Sequence, residues 1–170
     1  MTDNSQKEEV KSQEVHFRIL NAVTKLEISK GHLKWKISDV AKEADVTRSL
    51  VYYYLGKDKE VILKEAVKFM LDSVFNLFED EPVRVKYRMK IALEQIKSMP
   101  YLMVLFVLNR REDNEIGEII RNGERELFGL LQKIYPQMTD KDILQLYLLE
   151  LGAAVHGDLP EGFVDEVFPD

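Results

Sequence analysis

The sequence contains no cysteine. That removes a disulfide framework and any thiolate metal site, and it fits a reducing, cytoplasmic setting. Long apolar runs are missing too. No stretch approaches the ~18 apolar residues a membrane helix needs, so no membrane partner is expected. The opening residues, MTDNSQKEEVKSQE, are polar and lack the apolar middle of a signal peptide. Residues 1–13 read as a disordered tail. Catalytic motifs are also absent. There is no glycine-rich phosphate loop and no nucleophile elbow. His16, His32 and His156 stand far apart without metal-ligand spacing. Neither a metal nor another cofactor is expected, and the chain reads as no enzyme.

What is present is enough for a core and an uneven charge. Apolar residues make up 45% of the 170 residues and charged residues 32%, which suits one ordinary domain or a small module joined to a larger one. The net charge is −6, which taken alone argues against nucleic acid. Its distribution does not. Residues 15–60 hold nine Lys/Arg against six Asp/Glu, and residues 61–170 hold thirteen against twenty. The first third is basic and the remainder acidic. For DNA a local basic surface matters more than the whole-chain charge.

Apolar residues recur at steps of three and four almost throughout, and no segment alternates at period two, so the chain is predicted to be all-α. The first helix runs from about Glu14 to Ser29, with Val15, Ile19, Ala22, Val23 and Leu26 on one stripe and Gly31 as its stop. A short second helix covers 37–44. A turn at Asp45-Val46 follows, then Thr47 as N-cap of a third helix ending near Leu55. This is the outline of a helix-turn-helix unit.

The segment TRSLVYYYLGKDKE, residues 47–60, sets the functional question. At ~100° per residue Val51 and Leu55 share one side of the third helix. Ser49 then lies at about 160° from Val51 and Tyr53 at about 200°, on the opposite face. Three consecutive tyrosines span about 200° of arc and cannot all be buried together, so Tyr53 at least faces outward. Tyr52 and Leu50 flank it, Arg48 sits at the amino end, and Lys57 and Lys59 lie just beyond the other end. Hydroxyls and cations donate to phosphate oxygens, and an arginine can grip a guanine edge bidentately. Tyr54 reads equally well as packing against a neighbouring helix.

Residues 18–63, RILNAVTKLEISKGHLKWKISDVAKEADVTRSLVYYYLGKDKEVIL, resemble the DNA-binding domain of TetR-type transcriptional regulators. The likeness runs through Ile19-Leu20, Ala22, Leu26, Gly31, Ile37, Val40-Ala41, Ala44, Val46, Val51-Tyr52 and Tyr54. It implies an all-helical homodimer whose three-helix heads (14–60) bind a palindromic operator in double-stranded DNA. Residues 61–170 would then hold a small-molecule pocket and the dimer interface. Arg48, Ser49, Leu50 and Tyr53 would meet bases or sugars. Lys36, Ser38, Thr47, Tyr52, Tyr54, Lys57 and Lys59 would hold phosphates. The departures are specific. Asp45 stands where the family usually has glycine, and Trp35-Lys36 replace the Thr or Ser that caps the second helix, so a side-chain cap is lost there. Leu55 replaces an aromatic. The lysine that usually opens the fourth helix falls on Asp58, with Lys57 or Lys59 as substitutes.

Further helices are predicted at 58–79, 82–98, 100–109, 114–134 and 140–157, with a loop at Glu79-Asp80-Glu81-Pro82. MPYLMVLFVL, residues 99–108, is apolar on every side and is expected to be buried. Met89, Leu93, Ile96, Met103, Phe106, Phe128 and Tyr147 could line a pocket for an apolar effector, with ordinary core as the alternative for each. No polar group stands out as an anchor, and Arg110-Arg111 read as a solvated helix end. The helix at 140–157 is apolar nearly all round. Gln145, Leu149, Gly152 and His156 fall within about 60° of one another and are expected at a homodimer seam. Only EGFVDEVF follows Pro160 as a last helix. The expected function is a one-component transcriptional regulator, a repressor released by a small-molecule inducer. The alternative is a helical protein–protein adaptor that kept the head and lost DNA recognition.

Overall fold

The computed structural model describes residues 2–75, 77 and 84–168, with side chains from residue 12 onward. The expected loop at 79–82 lies outside the described residues. Every regular element among the described residues is a helix, and the fold is all-α. The chain divides into two compact units, Met1–Val67 and Lys68–Asp170.

In the first unit α1 spans Thr2–Lys30, α2 Ile37–Glu43 and α3 Arg48–Leu55, and α4 (Lys59–Phe75) begins. Residues 2–13, expected as a tail, are helical backbone. Their Gln, Lys and Glu residues are good helix formers, so nothing local stops α1 from extending. Gly31 ends α1 at φ +90°, a conformation that glycine adopts without steric cost. The α1–α2 connection is tied down by a buried carboxylate. Glu27 Oε2 accepts from Trp35 Nε1 at 2.7 Å and from the Leu33 N–H at 3.1 Å. His32 Nδ1 lies 2.7 Å from Glu27 Oε1. Trp35 is wholly buried. It is thus the anchor of this loop and more than a missing cap.

At α2 the side-chain cap is lost, as expected from Lys36 at the N-cap position. The Lys36 side chain does not cap, but Asp39 reaches back to accept from the Lys36 N–H at 2.8 Å. Lys30 closes on the same carboxylate at 2.7 Å. That hydrogen bond, then the one from Lys36, holds the Asp39 carboxyl below its usual range. The turn into α3 places Asp45 at φ +52°. Aspartate takes this left-handed position more readily than most non-glycine residues. Thr47 caps α3 by accepting from the Leu50 N–H at 3.2 Å.

The second unit holds the end of α4, then α5 (Val85–Ser98), α6 (Pro100–Asn109), α7 (Glu115–Ile134), α8 (Asp140–His156) and α9 (Phe163–Val167). Pro100 opens α6, where its missing N–H costs nothing. Asn114 caps α7, accepting from the Gly117 N–H at 2.8 Å. Thr139 and Asp142 cap α8 reciprocally: the Asp142 N–H donates to the Thr139 hydroxyl at 3.3 Å, and the Thr139 N–H donates to Asp142 Oδ2 at 2.9 Å. The core gathers Val85, Met89, Leu102, Ile120, Leu127, Leu131, Ile143 and Leu146. One expectation fails here. Residues 99–108 are not buried on every side: Val104, Val107 and Leu108 are exposed, Val107 by 63%. The helix packs on α5 and α7 and leaves its remaining side uncovered in the single chain. Among the described residues no single helix is long and apolar enough to cross a membrane.

Candidate functional site

The third helix is two-faced, as its angles require. Val51 and Leu55 are buried, while Thr47, Arg48, Ser49, Tyr52 and Lys57 are exposed. Tyr53 is 80% exposed. Leu50 is half-buried beside them. Lys57 Nζ lies 6.0 Å from the centre of the Tyr52 ring, at the reach of a cation–π contact. The Thr47 hydroxyl accepts from the helix and can still donate its hydrogen outward. On α2, which packs against α3, Lys36 is exposed and Ser38 half-buried at the amino end. The result is an outward surface with an arginine, hydroxyls and ammonium groups, and no carboxylate on α3 itself.

Two candidate residues have other duties. Lys59 is half-buried, and its ammonium donates to the Leu33 carbonyl and, at 3.4 Å, to the Trp35 carbonyl. Of Lys57 and Lys59, Lys57 is the exposed one. The Tyr54 hydroxyl lies 2.7 Å from the Ser12 hydroxyl, and its ring stacks on His16 with centroids 5.4 Å apart. The packing alternative for Tyr54 therefore has contacts behind it. They attach α3 to α1 at Ser12 and His16.

In the second unit, Met89, Ile96, Met103, Phe106 and Tyr147 line one cavity, together with residues of α4 and α7. Leu93 and Phe128 do not line it. Leu93 faces a surface cleft beside residues 157–165, and Phe128 meets Tyr147 edge-on at 5.0 Å. The cavity measures about 30 Å³, room for a water or two rather than for a drug-sized molecule.

Its wall carries two charged groups that the sequence did not single out. Arg88 and Glu150 are both buried, and Arg88 Nη2 donates to Glu150 Oε1. Burial pushes the Glu150 carboxyl above its ordinary range, and Arg88 only partly offsets this. A second buried acid, Glu124, accepts from Arg110 Nε at 2.6 Å and from the Tyr147 hydroxyl. Arg110 is thus an ion-pair partner and not a solvated end. Burial, then the Glu124 carboxylate, pushes the Tyr147 phenol up. Helical spacing was the available signal. Glu150 lies three residues from Tyr147, on the side of α8 that Ile143, Leu146 and Ala153 bury.

The proposed seam residues Gln145, Leu149, Gly152 and His156 are all exposed on α8. Leu144, Leu148 and Val155 are exposed on the same helix. A Cβ added at Gly152 would meet nothing within 4 Å. Among the described residues there is no group of three His, Cys, Asp or Glu that could hold a metal ion.

No family model matches the sequence, and no curated protein matches it. Among solved structures the chain is similar to a proposed TetR-family transcriptional regulator from Mesorhizobium loti MAFF303099. The identity is 18%, covering 91% of this chain and 90% of that one, with a TM-score of 0.45.

Proposed function

We propose that the chain is a one-component DNA-binding transcription regulator of the cytoplasm, acting as a repressor on a palindromic operator. The observation that carries this is the division of α3. Val51 and Leu55 go inward, and a surface of Arg48, Ser49, Tyr52, Tyr53 and Lys57 is left in solvent. A protein that only needed a core would gain nothing from a tyrosine 80% exposed between a cationic start and a cationic end. Arg48, Ser49, Leu50 and Tyr53 read bases or sugars, and Lys36, Ser38, Thr47, Tyr52 and Lys57 hold phosphates. Lys59 and Tyr54 serve this surface mainly by positioning it. Two copies pair through α8, with help from α7, because a palindrome needs two reading heads. An effector in the second unit changes DNA affinity.

The feature that favours the adaptor alternative is Asp45 in place of glycine in the turn, and that turn is formed with Asp45 in the left-handed conformation. The deciding experiment is a fluorescence-anisotropy titration of DNA flanking the protein's own gene, at several salt concentrations. A regulator should bind with affinity falling steeply with salt through counterion release. Absence of binding at low salt, or a flat salt response, would favour the adaptor.

A further inference from the structure

Base edges in the major groove are told apart by a small set of side chains. Arginine or lysine grips guanine O6 and N7, asparagine or glutamine grips adenine, a carboxylate accepts from cytosine, and apolar groups meet the thymine methyl. Residues 47–57, TRSLVYYYLGK, contain no Asn, Gln, Asp or Glu. The outward face of α3 therefore lacks a dedicated reader for adenine and another for cytosine. Readers for the other two bases are present. Arg48 is exposed at the first position of α3 and has no hydrogen-bond or ion-pair partner among the described residues. The amino-terminal residues of a recognition helix are the ones that reach base edges. Leu50 and Tyr53, three residues apart, are neighbours on the helix surface and form the apolar reader. Tyr53 is held in place. Its ring meets Tyr54 edge-on with centroids 5.3 Å apart, and Tyr54 is itself tied to His16 and Ser12 of α1. A ring ordered before binding gives up little freedom on contact. Lys57 lies past the helix end with its ammonium over the Tyr52 ring, and does not add a second guanine reader at the amino end.

From this inventory we infer that the operator half-site is built on a guanine gripped by Arg48 and a thymine whose methyl rests on Leu50 and Tyr53, with its other positions only loosely read. The spacing follows from the helix. Leu50 and Tyr53 lie roughly 3 and roughly 7.5 Å along the axis from Arg48, which is about one to two base-pair steps of ~3.4 Å. The two bases are therefore near neighbours. Ser49 adds no choice between them, since a hydroxyl both donates and accepts. The inference deepens the DNA-binding reading proposed above and rests on it.

The test takes the full chain through selection from a randomised duplex library, and the selected site is then remade with changes of one group at a time. Replacing guanine by 7-deazaguanine removes the N7 acceptor, and replacing thymine by deoxyuridine removes only the methyl. One guanine per half-site should cost at least about fivefold in affinity when replaced. One thymine within two steps of it should cost about threefold. Arg48→Ala should become indifferent to the first replacement and Leu50→Ala less sensitive to the second. A selected half-site without a fixed guanine, or a wild-type affinity that neither replacement changes, would overturn the inference, and neither outcome depends on a variant folding. Steeply salt-dependent binding with no base preference would refute the half-site and leave the DNA reading standing. No binding to any duplex at low salt would remove both.

Discussion

Lys59 holds Trp35 in two ways: its ammonium donates to the Trp35 carbonyl at 3.4 Å and lies 5.7 Å from the centre of the Trp35 ring. Together with Glu27 on the indole N–H, this fixes the connection ahead of α2. Lys59→Met should therefore cost about 1–2 kcal/mol of stability, as expected for a charge-assisted hydrogen bond lost from a half-buried site. Lys57→Met should leave Tm nearly unchanged and lower the salt slope of DNA binding by about 1. Chemical denaturation and a salt titration separate the two. Equal effects of both lysines on stability would remove the distinction drawn between them.

Arg48→Ala should weaken DNA binding by about 1–3 kcal/mol and relax specificity at one base position. Tyr53→Phe should weaken binding more evenly across sequences, since it removes one outward hydroxyl. Neither change should lower Tm by much, because both side chains are exposed. Selection from a randomised DNA library gives the specificity, and a melting curve gives the control. An unchanged base preference for Arg48→Ala would count against the assigned face.

Stability should respond to pH in two windows of opposite sign. Asp39 and Asp142 have carboxyls held below the ordinary value of 3.8, by hydrogen bonds first from Lys30 and from Thr139 respectively. Their contribution is present above pH 3.8 and is lost as pH falls through the lowered folded values. Glu150 is the reverse: burial raises it from 4.5. The folded state therefore loses stability as pH rises from 4.5 through the raised value. Denaturation of the wild type and of Glu150→Gln across pH 4 to 8 isolates the second window. Relative to the wild type, Glu150→Gln should become more favourable as pH rises. A difference that does not change with pH would refute the assignment.

Gly152→Arg should split the proposed dimer without unfolding the chain. The glycine is exposed, and a Cβ there meets nothing within 4 Å, so the single chain can accept the larger residue. Sedimentation at micromolar concentration is the measurement. A wild-type monomer, or a Gly152→Arg dimer with unchanged affinity, would move the seam elsewhere.

The helices were legible because their periods and punctuation agree. Gly31, Gly56 and Gly157 stop helices at positive φ, and Pro100, Asn114 and Thr139 start them. The face of α3 was legible for the same reason, since three adjacent tyrosines on a helix cannot share one side. The polar pairs were not. Trp35 with Glu27 and Arg88 with Glu150 are eight and sixty-two residues apart, and helical periodicity carries no information about which distant charge will share a buried site. Residues 99–108 misled for a related reason: a uniformly apolar helix states a need for cover but not what supplies it. The same holds for the extent of α1, where strong helix formers continued the helix through a stretch whose polarity had suggested a tail.

Leu144, Leu148 and Val155, outward on α8, leave the isolated chain with apolar surface in water. If a second copy covers that surface, abundance itself becomes a control variable. While single chains predominate, the amount of paired form rises with the square of the total. Halving the supply then removes about three quarters of the assembled species, by mass action alone. Such a chain would respond to its own dosage more steeply than a monomer could, with no further ligand involved.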